Sequence, residues 1–265
     1  MSLGQQFKLS ALSALPLSKR TLSVRFSVPE DVPAVLEFYN TNQHHNVDHR
    51  GDSVFKDRTE KGRTLLVLNP DRTIGMSSMS HPFEKSASVE IGSTRSRLDG
   101  FGLYPFIIAS QIIHEFIERP ANGPFFACIH KDNVAVTTLL NKKVGWNMIT
   151  PTQEFADSIG EGDNINTLFW LHADTDTFSH QAKIVLDVIA EGRVKNKKTG
   201  ESLALDLSSF SLANEHHQLV KELANGDFGK MLQKLMPQSP KTAREALARH
   251  MGGTLYLPEF LTINP

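Results

Sequence analysis

The sequence predicts a protein of the α/β (α+β) class, a mixed sheet flanked by helices. Segments with strand patterns alternate with segments of helical spacing over residues 22–149, which is typical of a layered α/β arrangement. Hydrophobic residues make up 40% of the chain and charged residues 22%, as in ordinary globular proteins. A chain of 265 residues is also long enough to bury a large core.

The first predicted element is a strand over residues 22–28, where apolar and polar side chains alternate. Pro29 and two acidic residues then begin a helix with apolar residues at helical spacing. A short second helix is predicted over residues 53–60. The turn 69–72, Asn-Pro-Asp-Arg, joins two strand-like segments into a hairpin. Three strands are therefore predicted from this hairpin onward: 63–68, 73–80 and 86–94.

The remaining elements continue this alternation up to about residue 151, where the pattern of strands and helices changes. Up to that point we predict helices over 106–117 and 134–143, with strands over 125–130 and 146–149. Beyond it we predict a strand at 167–172, a helix at 177–191, a hairpin of 193–196 with 202–207, and helices at 212–224, 228–235 and 240–251. The predicted division is an N-terminal arm (1–21), a first domain (22–172) and a C-terminal α+β lobe of unknown role (173–265).

Charge and cysteine content restrict the function classes. Lys and Arg number 28 against 29 Asp and Glu, a net charge of −1, which argues against general nucleic-acid or acidic-membrane binding. Cys128 is the single cysteine and lies in an apolar run, as expected of a small buried hydrophobe. No apolar run is long enough for a membrane span, so we expect a cytoplasmic protein. The first 29 residues lack acids, which leaves open a transit segment or a loose terminal arm.

The most informative motif is Arg97-x-x-Gly100-x-Gly102, between a predicted strand and a predicted helix. Glycines allow close approach of the backbone to a ligand, and successive amides at a helix N-terminus attract anions. The loop therefore predicts a pyrophosphate site, with a simple turn as the alternative. A dinucleotide-binding fold would have a third glycine or alanine at the position of Pro105. Pro105 therefore argues against a dinucleotide site.

Residues 22–150 resemble the GCN5-related N-acetyltransferase (GNAT) superfamily. The resemblance rests on the order of elements, on the loop that begins at Arg97, on Asn133 at the start of a helix, and on Gly145-Trp146. It implies acetyl-CoA or another acyl-CoA as co-substrate, with pantetheine between two splayed parallel strands. It also implies a set of cofactor-binding residues: Ile91, Gly92, Arg97, Leu98, Asp99, Gly100, Phe101, Gly102, Leu103 and Asn133.

Glu90 is the candidate catalytic base, because it lies on the strand that leads to the loop. Apolar neighbours would raise the pKa of its carboxyl group; a solvent-facing or salt-bridged glutamate is the alternative. Weaker candidates are His81, Glu84 and His130. The sequence departs from the resemblance at residues 139–141, Leu-Leu-Asn, where many GNAT enzymes have a tyrosine as general acid.

Two other polar clusters allow more than one interpretation. His44, His45, Asp48 and His49 are zinc-ligand types in a predicted loop, but they lack a recognised metal spacing, so no metal is assigned. In the GNAT superfamily, the stretch that joins the first two helices often borders the acceptor site. The resemblance therefore implies that residues 39–49 contact the acceptor, with a solvated loop as the alternative. The basic residues Arg193, Lys195, Lys197 and Lys198 form either a solvated hairpin or a weak phosphate or partner site.

The function expected from the sequence is transfer of an acetyl group from acetyl-CoA to an amine by direct attack in a ternary complex. The acceptor would be a small-molecule or peptide amine, with no nucleic-acid or membrane partner; a homodimer is possible. Two alternatives stay open. One is a long-chain N-acyl synthase using acyl-CoA or acyl carrier protein, and the other is an inactive acyl-CoA-binding module.

Overall fold

A computed structural model describes residues 21–42, 50–86, 88–120, 124–226, 228–239, 241 and 244–245. Its centre is one sheet of nine strands in the order β6-β7-β5-β4-β3-β2-β1-β9-β8. The strands are β1 Thr21–Phe26, β2 Thr64–Leu68, β3 Ile74–Phe83, β4 Ser88–Ser96, β5 Phe125–His130, β6 Asn147–Ile149, β7 Leu168–Ala173, β8 Arg193–Lys195 and β9 Ser202–Asp206. The mixed α/β class is confirmed.

Eight α-helices flank this sheet in the described residues. They are α1 Val32–Thr41, α2 Asp52–Glu60, α3 Leu103–Glu118, α4 Val134–Leu139, α5 Gln153–Ser158, α6 Thr175–Glu191, α7 His217–Ala224 and α8 Phe228–Leu235. Helix α5 is absent from the sequence prediction because its single turn and a half is too short to show a helical period. The predicted arm and most of the predicted helix 240–251 lie outside the described residues.

The alternation of side chains along the strands sends apolar residues to both faces of the sheet. On one face, Leu65 and Phe125 join α3 and α6 in the main core. On the other, Leu66 packs with residues of α1 and α2, while Phe126 packs with residues of α5. Burial on both faces explains why several strands are apolar runs rather than strict alternations.

The C-terminal segment is continuous with this sheet rather than appended to it. Strand β9 pairs in parallel with β1, with Leu22 opposite Leu205. On the main-core face, Phe178 of α6 packs against Phe116 of α3 at a ring-centroid distance of 5.4 Å. The predicted boundary at residue 172 therefore does not separate two sheets. Sequence patterns missed this because pairing between strands so distant in the chain leaves no local signal.

Helix α4 ends in a π-helical turn, Leu140–Val144. The predicted helix 134–143 thus contains one wider turn, which accommodates an additional residue before Gly145. Gly145 closes the turn with a φ of 83°, a left-handed conformation that favours glycine. The turn places Leu140 at the sheet and returns the chain toward β6.

Candidate active site

The two central parallel strands, β4 and β5, separate soon after they begin. They pair only at Val89 with Phe125 and at Glu90 with Phe126, although both strands continue beyond these positions. A cavity of about 100 Å³ lies in the opening, lined by residues 91–94 of β4 and 127–130 of β5. The splayed parallel strands expected from the GNAT resemblance are therefore present.

An irregularity in β4 accompanies this separation. The pairing of β3 with β4 shifts register between Ser77 and Met79, and Ser93 has a φ of 50°. A left-handed residue within a strand marks a bulge, which bends the strand and redirects its side chains. The Ser93 hydroxyl lies 3.0 Å from Nε2 of buried His81, a contact that holds the bulge in place.

Glu90 lies at the point where the strands part, and its residue is only 7% exposed. It lines the cavity and forms an ion pair with the guanidinium of Arg50. This ion pair is the salt-bridged alternative to the apolar surroundings expected for Glu90. The Arg50 guanidinium also lies 5.9 Å from the ring centre of Phe83. Arg50 was missed because its only signal is position, a cation between the first two predicted helices.

The three weaker candidates occupy different environments. His130 lines the same cavity as Glu90. His81 is opposite Glu90 in the strand pairing, but burial lowers its pKa well below the usual value, so its imidazole stays neutral. Glu84 is exposed in the turn after β3 and borders a different depression, near Arg58 and Lys61.

Residues 97–102 connect β4 to α3 and present open backbone amides. Gly100 and Gly102 have φ values of 86° and 69°, while the side chains of Leu98 and Phe101 are buried in the main core. The amides of Gly100, Gly102 and Leu103 donate to no acceptor among the described residues. Donors of this kind at a helix N-terminus form an anion-binding arrangement.

The first two residues of the motif are engaged elsewhere. The amide of Arg97 donates to Gly75 O at 2.7 Å, and that of Leu98 donates to Ser96 Oγ at 2.9 Å. The Arg97 side chain donates to Asn42 Oδ1 at 2.8 Å and stacks on Phe38. Arg97 therefore joins the loop to the end of α1, and the open amides begin after Leu98.

The other wall of the cavity comes from the α4 region and from the start of α3. Asn133 accepts a hydrogen bond from the Val136 amide at 3.4 Å, which caps α4, and it lines the cavity together with Leu140. Tyr104, in the first turn of α3, lines the cavity too. Burial raises the pKa of its hydroxyl to about 12.

Cys128 is half-buried and lines the cavity, so it is less enclosed than its apolar run suggests. The histidine cluster at residues 44–49 lies outside the described residues. No helix in the described ranges has the length and apolar character needed to cross a membrane.

Comparison with solved structures finds similar folds among acetyltransferases. The Mycobacterium tuberculosis protein Rv2747, in complex with CoA, is 15% identical over 56% of this chain and 96% of its own, with a TM-score of 0.42. A GNAT-family acetyltransferase from Bacillus anthracis is 12% identical over 57% of this chain and 92% of its own, with a TM-score of 0.38.

The third comparison is N-acetylglutamate synthase from Neisseria gonorrhoeae, complexed with coenzyme A and N-acetyl-glutamate. It is 12% identical over 57% of this chain, with a TM-score of 0.39, and the match spans 34% of the synthase. No family model and no curated protein matches the sequence. The likenesses extend over little more than half of the chain and concern its fold.

Proposed function

We propose that this protein is an acyl-CoA-dependent N-acyltransferase that moves an acetyl group from acetyl-CoA to an amine. The observation that carries the proposal is the position of Glu90. This carboxylate lies where two parallel strands part, and the next residues of its strand lead to a loop of open amides at the start of α3. The proposed base, the cleft and the proposed anion site thus follow one another along a single segment.

The polar groups along the cleft suit the parts of an acyl-CoA. Amides of Asp99 to Leu103 would bind the pyrophosphate, since they combine glycine flexibility with a helix N-terminus. Backbone groups of Ile91 and Gly92 would pair with the pantetheine amides, as a strand pairs with its neighbour. Asn133 would contact the same arm from α4.

The chemistry assigned to this chain is direct transfer. Glu90, directly or through water, would take a proton from the acceptor ammonium, and the free amine would attack the thioester carbon. Backbone amides of β4 would stabilise the oxyanion. Breaking of the carbon–sulfur bond would release the thiolate, which needs a proton. Arg50 would position the Glu90 carboxylate through their ion pair.

Tyr104 is our candidate for the proton donor to sulfur. Leu140 stands where the resemblance has a tyrosine, and it lines the same cavity as Tyr104. Thr94, which lines the same cavity, contacts the Ser78 hydroxyl at 2.9 Å. A phenol whose pKa is about 12 stays protonated at neutral pH and can donate.

The size of the cavity supports a short acyl group. Its volume of about 100 Å³ is small beside the roughly 300–1,000 Å³ of sites that enclose a drug-sized ligand. A long acyl chain would need a deeper apolar tunnel. The acceptor is assigned only as a small-molecule or peptide amine.

The test is release of free thiol from acetyl-CoA in the presence of free amino acids, a polyamine and a short peptide. We expect Glu90→Gln to lower the rate about 100-fold, the usual lower range for loss of a general base. Glu84→Gln is the matched control, because Glu84 is exposed and outside the cavity. Full activity in Glu90→Gln would contradict the assignment of the base.

A second candidate function is an acyl-CoA-binding module without catalysis. The observation that favours it is Leu140 on the cavity wall, in place of the expected acid. This candidate predicts binding of acetyl-CoA with no thiol release for any acceptor. Thiol release that depends on both the amine and Glu90 would reject it.

A further inference from the structure

The turn of the β8–β9 hairpin lies directly against the loop of open amides. Asn196 is buried and its side-chain amide donates to Asp99 O at 3.3 Å. The Lys197 amide donates to Gly100 O, also at 3.3 Å. A Cβ atom at Gly100 would lie 2.9 Å from Asn196 Nδ2, so the two segments leave no room for a side chain between them. The hairpin, almost 100 residues away in sequence, is thus a wall of the predicted phosphate site.

The turn itself has a fixed backbone. Asn196 Oδ1 accepts hydrogen bonds from the amides of Lys198 at 2.9 Å and Thr199 at 3.2 Å. The Gly200 amide donates to Asn196 O at 2.8 Å, and Gly200 has a φ of 74°. One buried asparagine therefore organises the turn and attaches it to the loop. The backbone positions of Lys197 and Lys198 beside the loop are set by these contacts.

This hairpin is also a local concentration of positive charge. Its basic residues Arg193, Lys195, Lys197 and Lys198 are exposed, and none forms an ion pair with another described residue. Glu201 is the single acid between residues 193 and 201, in a chain whose net charge is −1. Lys197, whose amide bonds the loop, and Lys198, which follows it in the turn, are therefore the hairpin cations best placed for a ligand bound there.

We propose that Lys197 and Lys198 bind the phosphate groups at the nucleotide end of an acyl-CoA. The inference rests on the proposed function and deepens it, because it assigns part of the cofactor site to the C-terminal hairpin. Loop amides carry only partial charges, which suit a pyrophosphate held against the backbone. A phosphomonoester such as the CoA 3′-phosphate carries more charge per group and is matched better by lysine ammonium groups. The hairpin supplies them within reach of the same loop.

The experiment is calorimetric titration of the full chain with CoA and with dephospho-CoA. The test variant is Lys197→Ala/Lys198→Ala. The matched control is Lys183→Ala/Lys221→Ala, which removes two exposed lysines from α6 and α7. Thermal denaturation of each variant checks that it is folded. Lys197→Arg/Lys198→Arg keeps both charges and checks that charge, rather than the change of residue, is responsible.

We expect the alanine pair to bind CoA about tenfold more weakly than wild type, with a reduced dependence on salt. The arginine pair and the control pair should bind as wild type does. A loss confined to CoA assigns the lysines to the 3′-phosphate, and a loss shared by dephospho-CoA assigns them to the pyrophosphate. Both results support the proposal.

Unchanged affinity in the folded alanine pair would overturn this inference alone. An equal loss in the control pair would overturn it too, because the effect would then reflect overall charge. No binding of CoA to wild type would instead overturn the proposed function. The two failures are therefore distinguishable in one set of titrations.

Discussion

At the scale of single residues, the candidate site is built from a few polar groups held at a break in the sheet. The sequence makes Glu90 a candidate, because it precedes the glycine loop on the same strand. Arg50 could not be identified in this way, since it reaches the cavity from another segment. Tyr104 follows the loop directly, but an aromatic residue at the start of a helix carries no signal that separates it from a core residue. Local sequence patterns identify residues next to a motif. Side chains that reach the site from a distant segment can be identified only from the three-dimensional structure.

Tyr104→Phe tests the proposed proton donor. We expect the rate of acetyl transfer to fall about tenfold or more, because the leaving thiolate loses its proton source, while the KM for acetyl-CoA changes little. Ser78→Ala, which removes a hydroxyl that contacts Thr94 rather than Tyr104, should have a smaller effect. Steady-state kinetics of both variants provides the measurement. An unchanged kcat in Tyr104→Phe would exclude its hydroxyl as the donor.

His114 gives a prediction about stability and pH. Burial lowers its pKa to about 3. The imidazole ring stacks on the Phe26 ring, with a distance of 3.4 Å between the ring centroids. The unfolded chain, with a histidine pKa of about 6.5, binds a proton that the folded chain excludes. The resulting stability is present above about pH 6.5 and is lost as pH falls toward about 3.

Between about pH 7 and pH 5, this one histidine should lower the free energy of unfolding by about 2 kcal/mol. His114→Gln removes the titration and should flatten that part of the pH profile by the same amount. Urea denaturation at several pH values measures the difference. If the free energy of unfolding depended on pH in the same way in wild type and variant, the lowered pKa of His114 would be contradicted.

At the scale of elements, most strands and helices follow from local signals. The hairpin of β2 and β3 follows from its Asn-Pro-Asp-Arg turn, and β5 from its apolar run. The π-helical turn at Leu140–Val144 could not be predicted, because a single wider turn leaves the helical spacing nearly intact. The bulge at Ser93 was missed for a similar reason, since serine carries no signal for a left-handed conformation.

Strands and helix α3 are joined by a buried ion pair. Arg63, at the start of β2, contacts Glu115 of α3 at 2.5 Å, and Glu115 also accepts a bond from Ser80 at 2.9 Å. We expect Arg63→Met to destabilise the fold by about 3 kcal/mol, because it leaves a buried carboxylate without its main partner. Chemical denaturation measures the change.

The double variant Arg63→Met/Glu115→Gln should be less destabilised than Arg63→Met, since the buried charge is gone. Lys56→Ala, which breaks an exposed pair with Glu60 at 3.8 Å, is the control and should cost less than about 0.5 kcal/mol. If Arg63→Met lost no more stability than this control, the ion pair of Arg63 with Glu115 would not be an important contribution to the stability of the fold.

At the scale of the whole molecule, the sequence predicted the α/β class, and the predicted boundary at residue 172 falls within one continuous sheet. Residues 22–172 contain the cleft, the loop and both walls of the cavity. The C-terminal segment nevertheless extends the same sheet through β9 and contacts the loop through Asn196. Its place could not be predicted, because the pairing of β1 with β9 joins segments about 180 residues apart.

A shared core predicts one cooperative unfolding transition for the described fold. Phe178 of α6 lies within 5.3 to 5.7 Å of the rings of Phe116, Phe125 and Phe228. Phe178→Ala should therefore lower the stability of the entire fold by about 3–5 kcal/mol. Calorimetric melting is the measurement. Two separate transitions, with the first unaffected by the variant, would show that the segments unfold independently.

The central claim is that the cleft between β4 and β5 and the adjoining amide loop bind an acyl-CoA. Calorimetric titration of the full chain with acetyl-CoA tests it most directly. The account predicts saturable binding at a single site with a Kd well below about 1 mM. Absence of any binding heat at about millimolar acetyl-CoA would contradict it.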